Sequence, residues 1–492
     1  MKFKKKNIFI FLILTFLMLG VIFKLSQNLI NNTTGLSQKI KYLVPQSIRN
    51  ILKDSLYKSK YLEVEISKLN SVIDQNFKNN ISLKKKKLLK INFNEITTEK
   101  NKVYTIKKFS YPYYDHFFWG KKPPGYIENY KDLILVMSGS GELIYFKKND
   151  IEDDLINFEK LKTNFHDFVD VEKYYERNLF GIRDITVIDD ELFVSFPDPD
   201  SCDKLSILRG KIDLNYIEFT KFFSFKGCKN DFQYQDSEGL DNLQKTTSFI
   251  GQRSGGRIVK FDDNNLLFTI GDYSLTPFPP EAQNLKSLYG SLVKIDLNDK
   301  KYSILSKGLR NPQGLYFDKG NNLIVLTDHG PDGGDEVNIF DLDKEKFNNY
   351  GWPIASYGVH YKSTINNAKE YNYINKLNKG APLKKSHKDN GFKEPLIYWA
   401  PSIGISEVIK VPSFDVNKKN KEFLVAGMGN VIAEGDMTLH HLKISDENDK
   451  VISHDKIVIN ERIRDMYYDN DLNKFVLLLG TTPSIGFLDL KN

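Results

Sequence analysis

The chain has 492 residues, 40% of them hydrophobic and 13% aromatic, with 70 Lys and Arg against 63 Asp and Glu for a formal net charge of +7. Such a length and apolar content can build a large core, and 34 Phe with 26 Tyr favour strands over helices. The positive balance does not mark a nucleic-acid groove. Eight lysines fall in two short runs, MKFKKK and LKKKK (83–87), rather than over one surface with interleaved aromatics.

In chain order, the basic stub 1–7 precedes an unbroken apolar run, Ile8–Phe23, IFIFLILTFLMLGVIF. It is slightly short of a comfortable span of about 20 residues, and no small-x-small cleavage pattern follows. The expectation is an uncleaved signal anchor, a single transmembrane helix with its lysines inside and the rest of the chain extracytoplasmic or periplasmic. A cleaved signal peptide is the alternative. Residues 24–100 are polar and rich in Lys and Asn, with a helix-like stretch at ILKDSLYKSKYLEVEISKLNSVI; they are expected to form a stalk between membrane and domain. Cys202 and Cys228 flank the strand pair KLSILRGKIDLNYIEFTKFFSF. An oxidising compartment allows a disulfide there, two free thiols remain the alternative, and no Cys/His spacing suggests zinc.

From about residue 101 the pattern becomes short apolar runs separated by Asp, Asn and Gly turns. Four segments share one grammar: GIRDITVIDDELFVSF (181–196), GGRIVKFDDNNLLFTIGD (255–272), NPQGLYFDKGNNLIVLTDHG (311–330) and RIRDMYYDNDLNKFVLLLG (462–480). Looser copies run over 131–146 and 405–430. Six recurring hairpins predict an all-β fold, a six-bladed β-propeller over 101–492. A pair of β-sandwiches would not explain why every hairpin ends in Gly-rich sequence. In a propeller those ends gather at the central channel, a usual place for a ligand. The densest of them is LTDHGPDGGDEVN (326–338), with Asp328, Asp332, Asp335 and Glu336 among Gly330, Gly333 and Gly334. Carboxylates beside turn carbonyls suit Ca²⁺; capping of a polar turn is the other reading. No GxGxxG opens a helix after a strand and no P-loop is present, which argues against a nucleotide cofactor.

GLRNPQGLYFD (308–318), DHGPDGGDEVN (328–338), NYGWPIASYG (349–358), APSIGIS (400–406) and ERIRDM (461–466), in this order, resemble the soluble quinoprotein glucose/sorbosone dehydrogenases, also called aldose sugar dehydrogenases. The resemblance runs from about residue 175 to the C-terminus. It implies a six-bladed propeller that uses pyrroloquinoline quinone (PQQ) and Ca²⁺ to oxidise a sugar or related alcohol, with an electron acceptor it does not identify. It places Arg310, Asn311, Arg462, Arg464 and Tyr361 at the quinone. A planar guanidinium fork suits the PQQ carboxylates, and arginines at i and i+2 share a strand face. Gly330 and Pro331 match the carbonyls that hold the cofactor's Ca²⁺, and Glu336 and Tyr350 match a second, structural Ca²⁺ site.

The chain departs from the family at its reacting centre. The family's base is the His of HxxGR; here the stretch is QRSGGRIVKF, and Arg253 occupies that position. Its acidic partner is retained as Asp272. A guanidinium is no ordinary base, so an Arg253–Asp272 ion pair that reshapes the site is expected. Leu179 replaces a family Gln, Asn430 a Lys, and His329 and His360 are the candidate substitutes for the base. Trp352 and Trp399 are expected in the core, with stacking on a ligand as the alternative. Three readings remain open: a membrane-anchored PQQ dehydrogenase, a non-catalytic Ca²⁺-stabilised propeller that binds a carbohydrate or protein, and a Ca²⁺-dependent lactonase with Asp272 and Glu336 as acid or base.

Overall fold

The computed structural model describes residues 86–97, 103–112, 125–169, 181–198, 204–224, 253–273, 281–331, 333–359, 381–412, 421–429 and 435–490. All of them lie in one compact unit, 72–492. Ile8–Phe23, the stalk helix, Leu179, Cys202, Cys228, Asp332, His360, Tyr361 and Asn430 lie outside the described residues. Among the described residues no helix is long and apolar enough to cross a membrane.

Six sheets form six blades, antiparallel but for the short outer strands Tyr216–Ile217 and Asn348–Asn349, which pair parallel. Their innermost strands are Tyr126–Tyr130, Asp184–Ile188, Gly255–Lys260, Pro312–Asp318, Ile405–Lys410 and Ile463–Asp469, and each packs on the next until the last meets the first. Five of the six hairpins read from the sequence supply the first and second strands of a blade. The copy at 131–146 is offset by one strand: it supplies the second and third, Leu133–Met137 and Leu143–Lys147, behind Tyr126–Tyr130. That first strand, YIENY, carries polar residues toward the channel and so lacks the apolar signature of its neighbours.

The sixth blade closes the ring. Its three C-terminal strands are Ile463–Asp469, Lys474–Leu479 and Ser484–Leu490, and the last of them pairs outward with Val103–Ser110, from Tyr104 opposite Leu490 to Ser110 opposite Ser484. Lys87–Thr97 then pairs with Val103–Ser110. The sheet therefore takes in residues from the segment expected to be stalk. Leu88 is fully buried, and Lys86, from the second lysine run, is paired with Glu159 at 3.3 Å.

The core lies between blades. Phe165, Leu143 and Met137 of the first blade pack with Phe196, Leu192 and Val194 of the second. Similar apolar clusters fill the next four junctions and the closing one, where Phe109, Phe487 and Val476 meet Ile134 and Phe146. Each fully buried Phe or Leu contributes about 1.5–3 kcal/mol, so the rigidity that positions the channel resides at these junctions.

Candidate functional site

Along the channel, chemistry is layered by position in the inner strands. The residues that open the strands form the mouth. Deeper, one residue per blade at the same repeat position forms a layer: Tyr126, Asp184, Arg257, Gly314, Glu407 and Asp465. Arg257 is the hub of this layer. Its Nη1 lies 3.1 Å from Asp184, 2.8 Å from Glu407 and 2.7 Å from Asp465, and its Nε donates to the Gln313 carbonyl at 2.5 Å. The guanidinium carbon is 4.7 Å from the Tyr126 ring centre. The carboxylates also tie blades together, because Asp184 accepts the N–H of Ile258 and Asp465 that of Ile127.

Burial opposes charge on Arg257, but Glu407, Asp465 and Asp184 outweigh it and hold the guanidinium ionised. Burial pushes Asp184 and Glu407 upward against the pull of Arg257. Behind the layer, the far halves of the strands line an open-mouthed cavity of about 370 Å³, with Glu128, Thr186, Tyr316, Lys410 and Tyr467 among its walls. Arg253, Asp272, Arg310 and Arg462 do not line it. The expected chemistry is on the opposite side of the plug.

At the mouth the structure brings Arg253, Asp272, Arg310 and Asn311 together. Asp272 accepts the indole N–H of Trp352 at 2.6 Å and lies 4.0 Å from Arg253 Nη1, so the expected ion pair is present at the long limit. The Asp272 N–H donates to the Arg310 carbonyl, and the Arg310 guanidinium carbon is 5.3 Å from the Trp352 ring centre. Asp328 accepts the N–H groups of Arg310 and Asn311 at 2.8 and 2.6 Å. Burial pushes its carboxyl up to about 7, against those two bonds.

Arg464 enters from the sixth blade, buried at 6% exposure. It donates to Gln313 Oε1 at 2.9 Å and to the Tyr126 hydroxyl. Gln313 donates to Asn311 Oδ1 at 2.7 Å, so Arg464 and Asn311 are joined by a polar relay. Arg464 Nε is buried without a hydrogen-bond partner among the described residues. Arg462 is half-buried at the rim, and its N–H donates to Thr481. The expected shared strand face is not what the fold provides: Arg462 precedes the strand Ile463–Asp469, whose register shifts between Ile463 and Asp465, and Arg464 is spent largely on the channel interior.

The two expected cation sites have other occupants. The Gly330 carbonyl accepts from Arg310 Nη1 at 2.6 Å, and that of Pro331 accepts from the Ser402 hydroxyl at 3.0 Å. Glu336 lies 3.3 Å from His387, a partner the sequence did not suggest, and burial pushes it well above the carboxylate range. Tyr350 is buried and donates to the Ile339 carbonyl at 3.3 Å. Among the described residues no three His, Cys, Asp or Glu gather to hold a metal ion. His329 is half-buried, with Nδ1 2.7 Å from the fully buried Asp335. Trp399 packs edge-on to His440 in the core.

Residues 228–482 match the Glucose / Sorbosone dehydrogenase family, just over half of the 492 residues. The chain belongs to the glucose/sorbosone dehydrogenase family. Over 191 residues it is 31% identical to the Aldose sugar dehydrogenase YliI of Escherichia coli (strain K12), covering 34% of this chain and 45% of that protein. An uncharacterised protein of Synechocystis sp. (strain ATCC 27184 / PCC 6803 / Kazusa) is 29% identical over 249 residues, covering 46% of this chain and 53% of that protein. The chain thus spans about half the length of the curated relatives it matches. The fold is that of the apo-form soluble aldose sugar dehydrogenase of Escherichia coli, at TM-score 0.55 and 19% identity over 81% of this chain and all of that one. The PQQ domain of pyranose dehydrogenase from Coprinopsis cinerea superposes at TM-score 0.51 and 10% identity, over 81% of this chain and 97% of that one. As a glucose/sorbosone dehydrogenase family member, the chain is a six-bladed propeller whose channel mouth holds Arg253, Asp272, Arg310 and Asn311.

Proposed function

We propose that this chain is a quinoprotein-type oxidoreductase that binds PQQ at the channel mouth and oxidises a sugar or related alcohol. The observation that carries the reading is the clustering of Arg253, Asp272 and Arg310 at the mouth of a family propeller, where Arg253 lies 4.0 Å from Asp272 and the Asp272 N–H donates to the Arg310 carbonyl, with Asn311 next in the chain and joined to Arg464 through Gln313. A trianionic quinone suits this cationic donor set, and the buried, orphaned Arg464 Nε has a donor to offer it. Bound there, PQQ would take up the two electrons of the alcohol carbon.

The chain's residues handle the proton. Arg253 cannot accept one, so the acceptor is Asp272, oriented by the Trp352 N–H and 4.0 Å from Arg253. Purified protein reconstituted with PQQ should reduce a redox dye with at least one aldose in a broad panel. Inactivity across that panel would favour the second reading, a non-catalytic propeller that binds a carbohydrate or protein, which Arg253 at the base position supports. Membrane anchoring and an extracytoplasmic site belong to this proposal, resting on the lysine-flanked run Ile8–Phe23. Resistance of the full-length chain to alkaline extraction from membranes checks the anchor.

A further inference from the structure

We propose that Arg310 stands where a metal ion would be needed, so that this chain binds its quinone without Ca²⁺. The inference rests on the quinone reading above. At the mouth, two consecutive carbonyls, those of His329 and Gly330, converge on a single nitrogen, Arg310 Nη1, each at 2.6 Å. Charge-assisted bonds of that length are strong, and two carbonyls trained on one point are the arrangement a cation selects. The next carbonyl, of Pro331, is turned to the Ser402 hydroxyl.

The guanidinium is held there from every side. Its own backbone N–H is capped by Asp328, its carbonyl accepts from Asp272 N–H, and the Trp352 ring lies beneath it. The turn that aims the carbonyls has little room to rearrange. A Cβ on Gly330 would meet the Gly334 carbonyl at 2.2 Å, and Gly334 itself has φ of +74°, a conformation that favours glycine.

A Ca²⁺ ion collects six to eight oxygens, and among the described residues the acids flanking this turn, Asp328 and Asp335, are committed elsewhere. Asp328 receives two backbone N–H groups. Asp335 receives those of Gly330 and Ile405 together with the His329 ring. An ion at Gly330 and Pro331 would face the Arg310 charge directly. The guanidinium instead supplies fixed positive charge at the place where the family couples its anion to a metal, and it does so as part of the chain.

The test is PQQ titration into the purified protein, followed by calorimetry, in EDTA and again in excess CaCl₂. The expected dissociation constants agree within about threefold; tighter binding in CaCl₂ by more than that overturns the inference and leaves the quinone reading intact. No binding in either buffer overturns the quinone reading itself. Arg310→Gln frees both carbonyls, and its fold is checked by thermal melting without ligand. The variant is expected to bind weakly in EDTA and to regain at least about tenfold with CaCl₂. If it remains indifferent to CaCl₂, Arg310 is not the stand-in.

Discussion

Arg253 holds a left-handed backbone, φ +52°, which a non-glycine residue keeps only when its surroundings fix it. The fixing comes from Gly271, where a Cβ would lie 1.9 Å from the Arg253 carbonyl, and from Tyr273, whose N–H donates to that carbonyl. Histidine tolerates the same conformation, so Arg253→His is expected to fold. It places a base with a pKa near working pH where a guanidinium stands, and kcat in PQQ-linked dye reduction should rise by about tenfold or more. A fall instead would show that Arg253 itself takes part in turnover. Asp272→Asn keeps the shape and the Trp352 bond but cannot take a proton; kcat should drop about 10²–10⁴-fold while PQQ affinity stays within a few-fold. Equal losses of affinity and kcat would reduce Asp272 to a positioning role. The pairing of Arg253 with Asp272 was expected from the family resemblance. The capture of the Gly330 carbonyl by Arg310 was not, because a carbonyl's partner is set by the turn geometry and no side-chain pattern records it.

Among the elements, the hairpins were legible because period-2 alternation and Asp/Asn/Gly turns are local signals. The layer of Asp184, Arg257, Glu407 and Asp465 was missed although its signal was available. All four occupy one repeat position, before Ile185, Ile258, Val408 and Met466, and charge at a shared inward position points to a buried ring. The strand Lys87–Thr97 was harder to see. KLLKINFNEIT mixes charge with apolar residues because it lies toward the outside of its sheet, and its pairing partners are remote in sequence. Closure of the ring depends on those N-terminal strands. A fragment from residue 86 should fold with one cooperative transition, whereas one from residue 113 lacks both Lys87–Thr97 and Val103–Ser110 and exposes the edge of Ser484–Leu490, an aggregation-prone arrangement. Size-exclusion chromatography with thermal melting checks this; a monomeric, cooperative 113–492 fragment would refute the closure argument.

For the molecule as a whole, the layer decides that the channel is blind: ligands reach the mouth from one side, and the 370 Å³ cavity belongs to the other. Removing its hub should be severe. Arg257→Met strands three buried carboxylates, and losses of this kind run to about 3–5 kcal/mol; a denaturant midpoint close to wild type would mean that the layer carries little of the stability. The same burial makes stability depend on pH. Glu128, facing the cavity, is pushed up to about 8 by burial, with Asp184 and Asp465 adding to the rise; an ordinary Glu titrates near 4.3. Between those two values the folded chain holds a proton that the unfolded chain has released. Stability therefore falls as pH rises through that window, by up to about 1.4 kcal/mol per pH unit for one such proton, and the decline from Glu128 ends above about pH 8. Asp184 and Glu407, also raised, act in the same direction. Glu128→Gln removes one of these protons, so its melting temperature should fall less than that of wild type between about pH 5 and pH 8, and at the upper end it should exceed wild type. If the two proteins melt in parallel across that range, Glu128 is ionised in the folded chain, and the cavity it faces is far wetter than its lining implies.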